Sequence, residues 1–410
     1  MQTTPKGFRL HLGIFGRRNV GKSSLLNALT RQQTAIVSEQ AGTTTDPVEK
    51  PMELVPIGPV LFIDTAGVDD LGAMGQQRVQ KTRDVFDRTD IGIIVSTESQ
   101  DGGAISVFER QIIDELRKRE IPLLFVFNKS DLAEPTTASV AELETLRIPF
   151  VRTEAAHGKG VAELRKLLIR TVPDDFLSPP PIVSDLVPPG ELIVLVVPID
   201  EAAPKGRLIL PQVQTIRDIL DGDRCCVVVK DTQLKSVLDR LKTPPALVVT
   251  DSQAFTQVSA DTPPNVPLTS FSILFARQKG NVATLLEGAK AIGSLRPGSR
   301  VLIAESCTHH PVDEDIGTVK IPNLLRKFVG GELEIGHVSG HDFPDLAGWN
   351  LVIHCGACMG NRREMLSRIL HCREANVPMT NYGLAMAFML GILDRAVKPF
   401  GPQRELPTGA

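Results

Sequence analysis

The chain has one Trp and one Tyr among its 410 residues, and aromatics make up only 4% of it. That scarcity leaves little with which to stack unpaired bases. An excess of one charge is also missing: 45 Lys and Arg face 48 Asp and Glu, for a formal net charge of −3. Such a balance argues against a protein whose main task is gripping nucleic acid. No apolar run approaches the roughly 18 residues of a membrane span. The longest, LIVLVVPI at 192–199, is strand-length. The N-terminal MQTTPKGFRLHLGIFG lacks a signal-peptide core followed by a cleavage site. The expectation is a cytoplasmic protein with neither a nucleic-acid nor a membrane partner. Six cysteines in so long a chain do not make a disulfide scaffold.

What is present is organised in α/β fashion. The length suggests roughly two to four domains. Residues 8–172 alternate apolar strand-like runs with helix-like stretches, as a mostly parallel buried sheet does. Residues 173–190 hold six prolines and read as a stiff, extended linker. Residues 191–267 read as a small α/β unit, with strands at 192–199, 225–229 and 246–250 and helices at 213–221 and 232–242. No catalytic constellation is visible there. A third α/β unit covers 268–410. Its expected strands are 272–276, 301–306, 332–338 and 351–355, and its expected helices are 281–295, 361–376 and 383–396.

The first chemistry is a phosphate site. Residues 16–24 read GRRNVGKSS and fit G-x-x-x-x-G-K-S between a strand and a helix. Gly16 and Gly21 let backbone N–H groups wrap phosphates. Lys22 reaches the terminal phosphates, and Ser23, followed by Ser24, offers a hydroxyl to Mg²⁺. Asp64-Thr65-Ala66-Gly67 follows an apolar run. Its carboxylate suits the Mg²⁺ shell, and Gly67 offers an N–H to the γ-phosphate. Asn128-Lys129-Ser130-Asp131 reads the base, because the Asp131 carboxylate accepts two N–H bonds that guanine offers and adenine does not. The nucleotide is therefore GTP. These motifs resemble the translation-factor-related GTPases, particularly the group with the tRNA-modification GTPase and Era-like proteins. That resemblance implies that Thr44, in Gly42-Thr43-Thr44-Thr45-Asp46, is the Mg²⁺ and γ-phosphate threonine of the first switch. It implies that Ala155, after Thr153 and the atypical Glu154, gives its N–H to the guanine oxygen. It also implies that Asn19 holds a K⁺ ion beside the phosphates. Val68 stands where Ras-like enzymes carry a water-positioning glutamine, so slow intrinsic hydrolysis is expected.

The second chemistry lies near the other end. Four of the six cysteines and six of the eight histidines fall between 307 and 372. Cys307 directly follows one apolar run and Cys355 closes another, with Cys358 three residues on. If those runs are parallel neighbours, the thiols emerge at one sheet edge, where α/β folds place ligands. Three thiolates leave a fourth position open to His309, His310, His354 or the acidic Asp313-Glu314-Asp315. Three cysteines with one exchangeable ligand suit a 4Fe-4S cluster; three cysteines with one histidine suit closed zinc. Cys225, Cys226 and Cys372 read as core residues, and His337, His341 and His371 as structural or surface ones.

Cys-Thr-His at 307–309, then His-Cys-Gly-Ala-Cys at 354–358, behind a potassium-type GTPase domain, resembles the FeFe-hydrogenase maturation GTPases, the HydF family. The resemblance spans nearly the whole chain. It implies a P-loop GTPase domain over 1–172, a dimerisation domain over 191–267 and a cluster-binding domain over 268–410. It implies a 4Fe-4S cluster on Cys307, Cys355 and Cys358, with His309 and His354 as motif histidines whose ligand status is open; Glu314, from the acidic run, is the inferred alternative for the fourth ligand. It further implies a carrier that receives a di-iron precursor from two radical-SAM maturases and passes it to apo FeFe-hydrogenase, working as a homodimer. The alternative is a ribosome- or tRNA-associated GTPase with structural zinc.

Overall fold

The computed structural model describes residues 4–30, 48–65, 83–97, 105–199, 206–306, 315–341 and 343–401. Thr44, Gly67, Val68, Cys307, His309, His310, Asp313 and Glu314 lie outside the described residues. The chain divides into two compact units, Met1–Pro179 and Pro180–Ala410.

The first unit is one six-stranded sheet. Its strands are β1 (Leu10–Phe15), β2 (Val48–Leu54), β3 (Gly58–Asp64), β4 (Ile91–Ser96), β5 (Leu123–Asn128) and β6 (Phe150–Thr153), in the order β2-β3-β1-β4-β5-β6. Only β2 runs antiparallel. Every residue of β1, β4 and β5 is buried. Strands covered on both faces read as continuous apolar runs, which is why the sequence shows them plainly. The Lys22–Thr30 helix lays Leu25, Leu26 and Leu29 on one face of the sheet. The Val107–Lys118 helix, opened by a Ser106/Glu109 capping box, covers the other.

The second unit holds two four-stranded sheets, all parallel. The middle one is β10-β9-β7-β8, from β7 (Leu192–Val196), β8 (Cys225–Val229), β9 (Leu247–Thr250) and β10 (Leu268–Ser270). The last is β12-β11-β13-β14, from β11 (Arg300–Glu305), β12 (Glu334–Ser339), β13 (Leu351–His354) and β14 (Met379–Asn381).

Four sequence expectations change here. Residues 272–276 are not a strand but the middle of a helix, Phe271–Lys279, capped by the Ser270 hydroxyl. Phe271, Leu274 and Phe275 pack into the core of the middle sheet, and Ile273 and Ala276 into the core of the last. A helix buried on two faces loses the one-sided pattern that marks a surface helix. The expected helix over 383–396 is two helices, Tyr382–Met389 and Leu393–Val397, broken at Gly391 with φ +72°. Cys372 is a core residue, but Cys225 is exposed, because β8 is an edge strand. The proline-rich segment is not a free linker. Ile182, Val183 and Val187 sit in the middle sheet's core, and the N–H groups of Val183 and Ser184 both donate to Asp218 (2.8 and 2.7 Å).

That packing makes Ile182 structural. Ile182→Ala is expected to lower the stability of the second unit by about 2–5 kcal/mol in urea unfolding. A neutral effect would return the segment to the status of a spacer.

Candidate functional site

The nucleotide loop follows from β1. Its chain reverses through Asn19 (φ +64°) and Gly21 (φ +91°) before the Lys22 helix begins. A Cβ on Gly21 would sit 2.3 Å from Asn128 Nδ2, so only glycine fits there. The tight approach has a purpose. Asn128 is buried, and its Nδ2 donates to the Val20 carbonyl at 2.8 Å. Its Oδ1 accepts from Thr153 Oγ1 at 3.0 Å and from the Ala155 N–H at 3.1 Å. One amide thus ties the phosphate loop, the base-reading loop and the end of β6 together. The Ala155 N–H, expected at the guanine oxygen, is engaged with Asn128 in this structure. Glu154 pairs with Lys159 at 2.5 Å. Lys129 adopts φ +58°, and Asp131 is exposed beside it. Ser24 and Asn19 are also exposed.

Lys22 is buried and donates to the carbonyls of Gly16 (2.7 Å) and Arg17 (2.9 Å). Ser23 Oγ lies 3.4 Å from Asp64 Oδ2. Asp64 Oδ1 is buried and has no hydrogen-bond partner among the described residues. Burial pushes this carboxyl upward, against the pull of Lys22 and the Ser23 hydroxyl. An unpaired buried carboxylate oxygen beside a hydroxyl is a hard-oxygen donor set, and it fits Mg²⁺.

The cysteine site follows from the register of the last sheet. β11 and β13 are parallel neighbours with Ala304 opposite His354, so both strands end at the same edge. The Cys355 N–H donates to the Ala304 carbonyl at 2.9 Å. Cys355 Sγ then accepts two N–H groups, from Ser306 at 3.3 Å and Ala357 at 3.4 Å. Ser306 is the residue immediately before Cys307. Ala357 takes φ +51°, which turns the chain between Cys355 and Cys358. Burial pushes the Cys355 thiol up to about 11, although the two N–H donors pull it down. Burial raises Cys358 as well, opposed by the charge of Lys279. The two N–H donors on Cys355 offset part of the burial effect, and two sulfurs three residues apart at one loop fit a soft metal or cluster. Among the described residues, no three His, Cys, Asp or Glu side chains gather in a metal-binding group.

The structure takes His354 away from that role. It is fully buried; Nδ1 bonds the Cys355 carbonyl at 2.8 Å and Nε2 meets Arg368 Nη1 at 2.5 Å. Burial and the Arg368 charge press the imidazole down to about 3, so it is neutral. With both ring nitrogens committed, His354 cannot reach a metal. It begins a buried chain that sequence reading missed. Arg368 Nη2 donates to Glu364 Oε1 (3.1 Å) and to the Gly340 carbonyl (2.6 Å), and Glu364 Oε1 also meets His341 Nδ1 at 3.0 Å. The sequence signal was available: Glu364 and Arg368 are an i, i+4 pair on the Arg362–Glu374 helix. Also unforeseen was Lys279, at the last turn of the Phe271–Lys279 helix. It is 4% exposed, and burial brings its ammonium down to about 8 against the pull of Cys358, Cys355 and Glu364.

Comparison with known proteins divides along the same lines. Residues 11–129 match the family of the 50S ribosome-binding GTPase. Residues 182–280 match the hydrogen maturase F dimerization domain, and residues 283–399 its tetramerization domain. The tRNA modification GTPase MnmE of Synechococcus sp. (strain JA-2-3B'a(2-13)) is 37% identical over 183 residues, covering 42% of this chain and 37% of that protein. GTPase Der of Solidesulfovibrio magneticus is 30% identical over 165 residues, covering 40% of this chain and 36% of its own. This chain therefore spans little more than a third of the length of those relatives, and the likeness is partial. A crystal structure of Aquifex aeolicus Era, bound to GDP and aluminium fluoride, aligns with a TM-score of 0.34 at 17% identity, covering 62% of this chain and 99% of that one. The N-terminal unit is a P-loop GTPase domain, and such a domain takes GTP with Mg²⁺. Among the described residues, no helix is long and apolar enough to cross a membrane.

The Arg368 chain makes a stability prediction. Arg368→Met leaves the Glu364 carboxylate buried without its guanidinium, and is expected to cost about 3–5 kcal/mol in urea unfolding. Burial raises the Glu364 carboxyl, but the His341 hydrogen bond and the Arg368 charge bring it from 4.5 to about 2. A carboxyl held below its unfolded value stabilises above pH 4.5, and that contribution is lost as pH falls toward 2. Glu364→Gln should therefore flatten the acid limb of the stability profile. An unchanged acid limb would show that this carboxyl does not carry it.

Proposed function

Since the chain belongs to the hydrogen maturase F family, we propose that it is a GTP hydrolase that holds a 4Fe-4S cluster on Cys307, Cys355 and Cys358. As scaffold and carrier, it delivers the di-iron precursor of the hydrogenase active site to apo FeFe-hydrogenase, having received it from two radical-SAM maturases. The observation that carries this reading is the Ser306 N–H on Cys355 Sγ, which joins the end of β11 to the cysteine that follows β13. The rival, a ribosome- or tRNA-associated GTPase with structural zinc, loses support. The matches to tRNA modification GTPases cover only about 40% of the chain, and residues 182–280 and 283–399 match hydrogen maturase F domains.

At the nucleotide site, the Gly16–Ser23 loop wraps the phosphates and Lys22 neutralises them. Ser23 and Asp64 hold Mg²⁺, with Thr44 from the first switch, and Asp131 selects guanine. Asn19 holds K⁺. Loss of the γ-phosphate releases the switch segments and so gates an interaction. At the cysteine site, a 4Fe-4S cluster on three thiolates supplies an iron with a replaceable position. The chain's own residues fix the sulfurs: the N–H groups of Ser306 and Ala357 hold Cys355, and the turn at Ala357 presents Cys358. Glu314 and His309 are the candidates for the weak fourth ligand. The dimerization and tetramerization matches support self-association of the chain.

Two experiments test this. Cys355→Ala is expected to abolish iron uptake on anaerobic reconstitution with iron and sulfide, while GTP turnover stays at the wild-type rate. Wild-type protein that stays colourless and keeps one tight zinc would favour the rival. At the other site, K⁺ is expected to raise GTP turnover over Na⁺, and Asn19→Ala to remove that difference. Equal rates in the two salts would exclude the ion.

A further inference from the structure

At the end of β1 away from the nucleotide loop, a buried histidine faces two carbonyls. His11 is 3% exposed. Its Nδ1 lies 3.0 Å from the Arg88 carbonyl oxygen, and its Nε2 lies 3.0 Å from the Lys6 carbonyl oxygen. A carbonyl oxygen can only accept. A neutral imidazole carries one N–H and one bare nitrogen. It would satisfy one carbonyl and set a lone pair against the other, in a place closed to water. The doubly protonated ring donates to both.

Burial opposes that charge, so its surroundings decide. Residues 83–88 are helical and Arg88 ends them, so its carbonyl lies at a helix C-terminus, which favours a cation. Asp90 Oδ2 accepts the backbone N–H of His11 at 2.8 Å, which stands a carboxylate beside the residue. The cations on the packed segments are engaged elsewhere. Lys6 (2.5 Å) and Arg88 both meet Glu49 of β2. Arg119, at the end of the Val107–Lys118 helix, meets Asp87 (3.1 Å) and Glu115. Arg9 Nε donates to the Thr4 carbonyl at 3.0 Å. Asp84 adds a further carboxylate one turn before Arg88. Two charge-assisted hydrogen bonds and these carboxylates outweigh the burial.

We infer that His11 is a protonated brace of the GTPase unit, donating from both ring nitrogens and tying the Lys6–Phe8 turn and the end of the 83–88 helix to β1. That helix is the described end of the chain that leaves Asp64. The brace therefore fixes where the segment downstream of the Mg²⁺ carboxylate re-enters the sheet at β4. Loss of one proton breaks one of the two bonds, so the joint is sensitive to pH. It holds whether or not the protein carries a cluster. A histidine held above its unfolded value of about 6.5 stabilises below that pH, and the contribution is lost as pH rises through the folded value.

Two measurements on the full chain test this. Exchange of the imidazole C2 proton in D₂O, read by peptide mass spectrometry across a pH series, gives the titration midpoint of His11 in its own peptide. It is expected above the ordinary value of about 6.5; a midpoint at or below that value overturns the proposal. The second uses His11→Gln, which keeps an amide donor but has no proton to lose. Urea unfolding is followed through release of a bound fluorescent GDP. The ratio of wild-type to variant folding constants is expected to fall by up to about tenfold per pH unit above 6.5, the slope of one proton, until the folded midpoint is passed. A ratio that does not change with pH also overturns the proposal, leaving a packing role only. Should the Gln variant not fold, the wild-type exchange midpoint alone decides.

Discussion

The second unit depends on one register: β11 against β13, with Ala304 opposite His354. In that register the Cys355 N–H closes the ladder on the Ala304 carbonyl, and the Ser306 N–H comes to the Cys355 sulfur. A slip of one residue would turn every side chain to the other face and take the Ser306 N–H away from the Cys355 sulfur. The register is therefore guarded from several sides. Leu302 and Val352 face one core and Ile303 and Ile353 the other. At the strand end, the buried His354 is held by Arg368, which is held in turn by Glu364 and the Gly340 carbonyl. The residue that sequence reading offers as a ligand thus works as the anchor of the strand that carries one.

Asn128 has the same place in the first unit. A phosphate loop must keep its N–H groups pointing inward without secondary structure to hold them. The bond from Asn128 Nδ2 to the Val20 carbonyl provides that hold, and the two bonds into Asn128 Oδ1 extend it to the base-reading loops. Both sites are loops at the C-terminal ends of parallel strands, braced by a buried polar side chain from a neighbouring element. Ligand geometry is set by the sheet, and the loops only finish it.

Much of this was readable in the residues. β1, β4 and β5 are apolar throughout because they are covered on both faces, and the G-x-x-x-x-G-K-S loop sits where a strand gives way to a helix. β11 and β13 were legible for the same reason, and with them the edge at which Cys355 stands. What was illegible came from tertiary context. The Phe271–Lys279 helix is apolar on two faces because two sheets sandwich it, so its short run is indistinguishable from a strand. Misreading it hid Lys279, whose role depends on where a helix of that length ends. The proline-rich segment misled through composition: its prolines are spaced by Ile182, Val183 and Val187, which reach the core. His354 misled because spacing cannot show which way a ring points, or that Arg368 will claim it.

The two lysines share a physical logic. Lys22 donates to the carbonyls of Gly16 and Arg17, and Lys279 to those of Ala357, Cys358 and Gly360. A carbonyl satisfies an ammonium donor without cancelling its charge, whereas a bonded carboxylate would do both. Neither cation is remote from negative charge: Asp64 feels Lys22, and Cys358, Cys355 and Glu364 act on Lys279. The arrangement also explains why both loops can be short and poor in regular structure. In each loop one buried ammonium satisfies carbonyls that regular structure would otherwise pair, so loop conformation is set by one side chain.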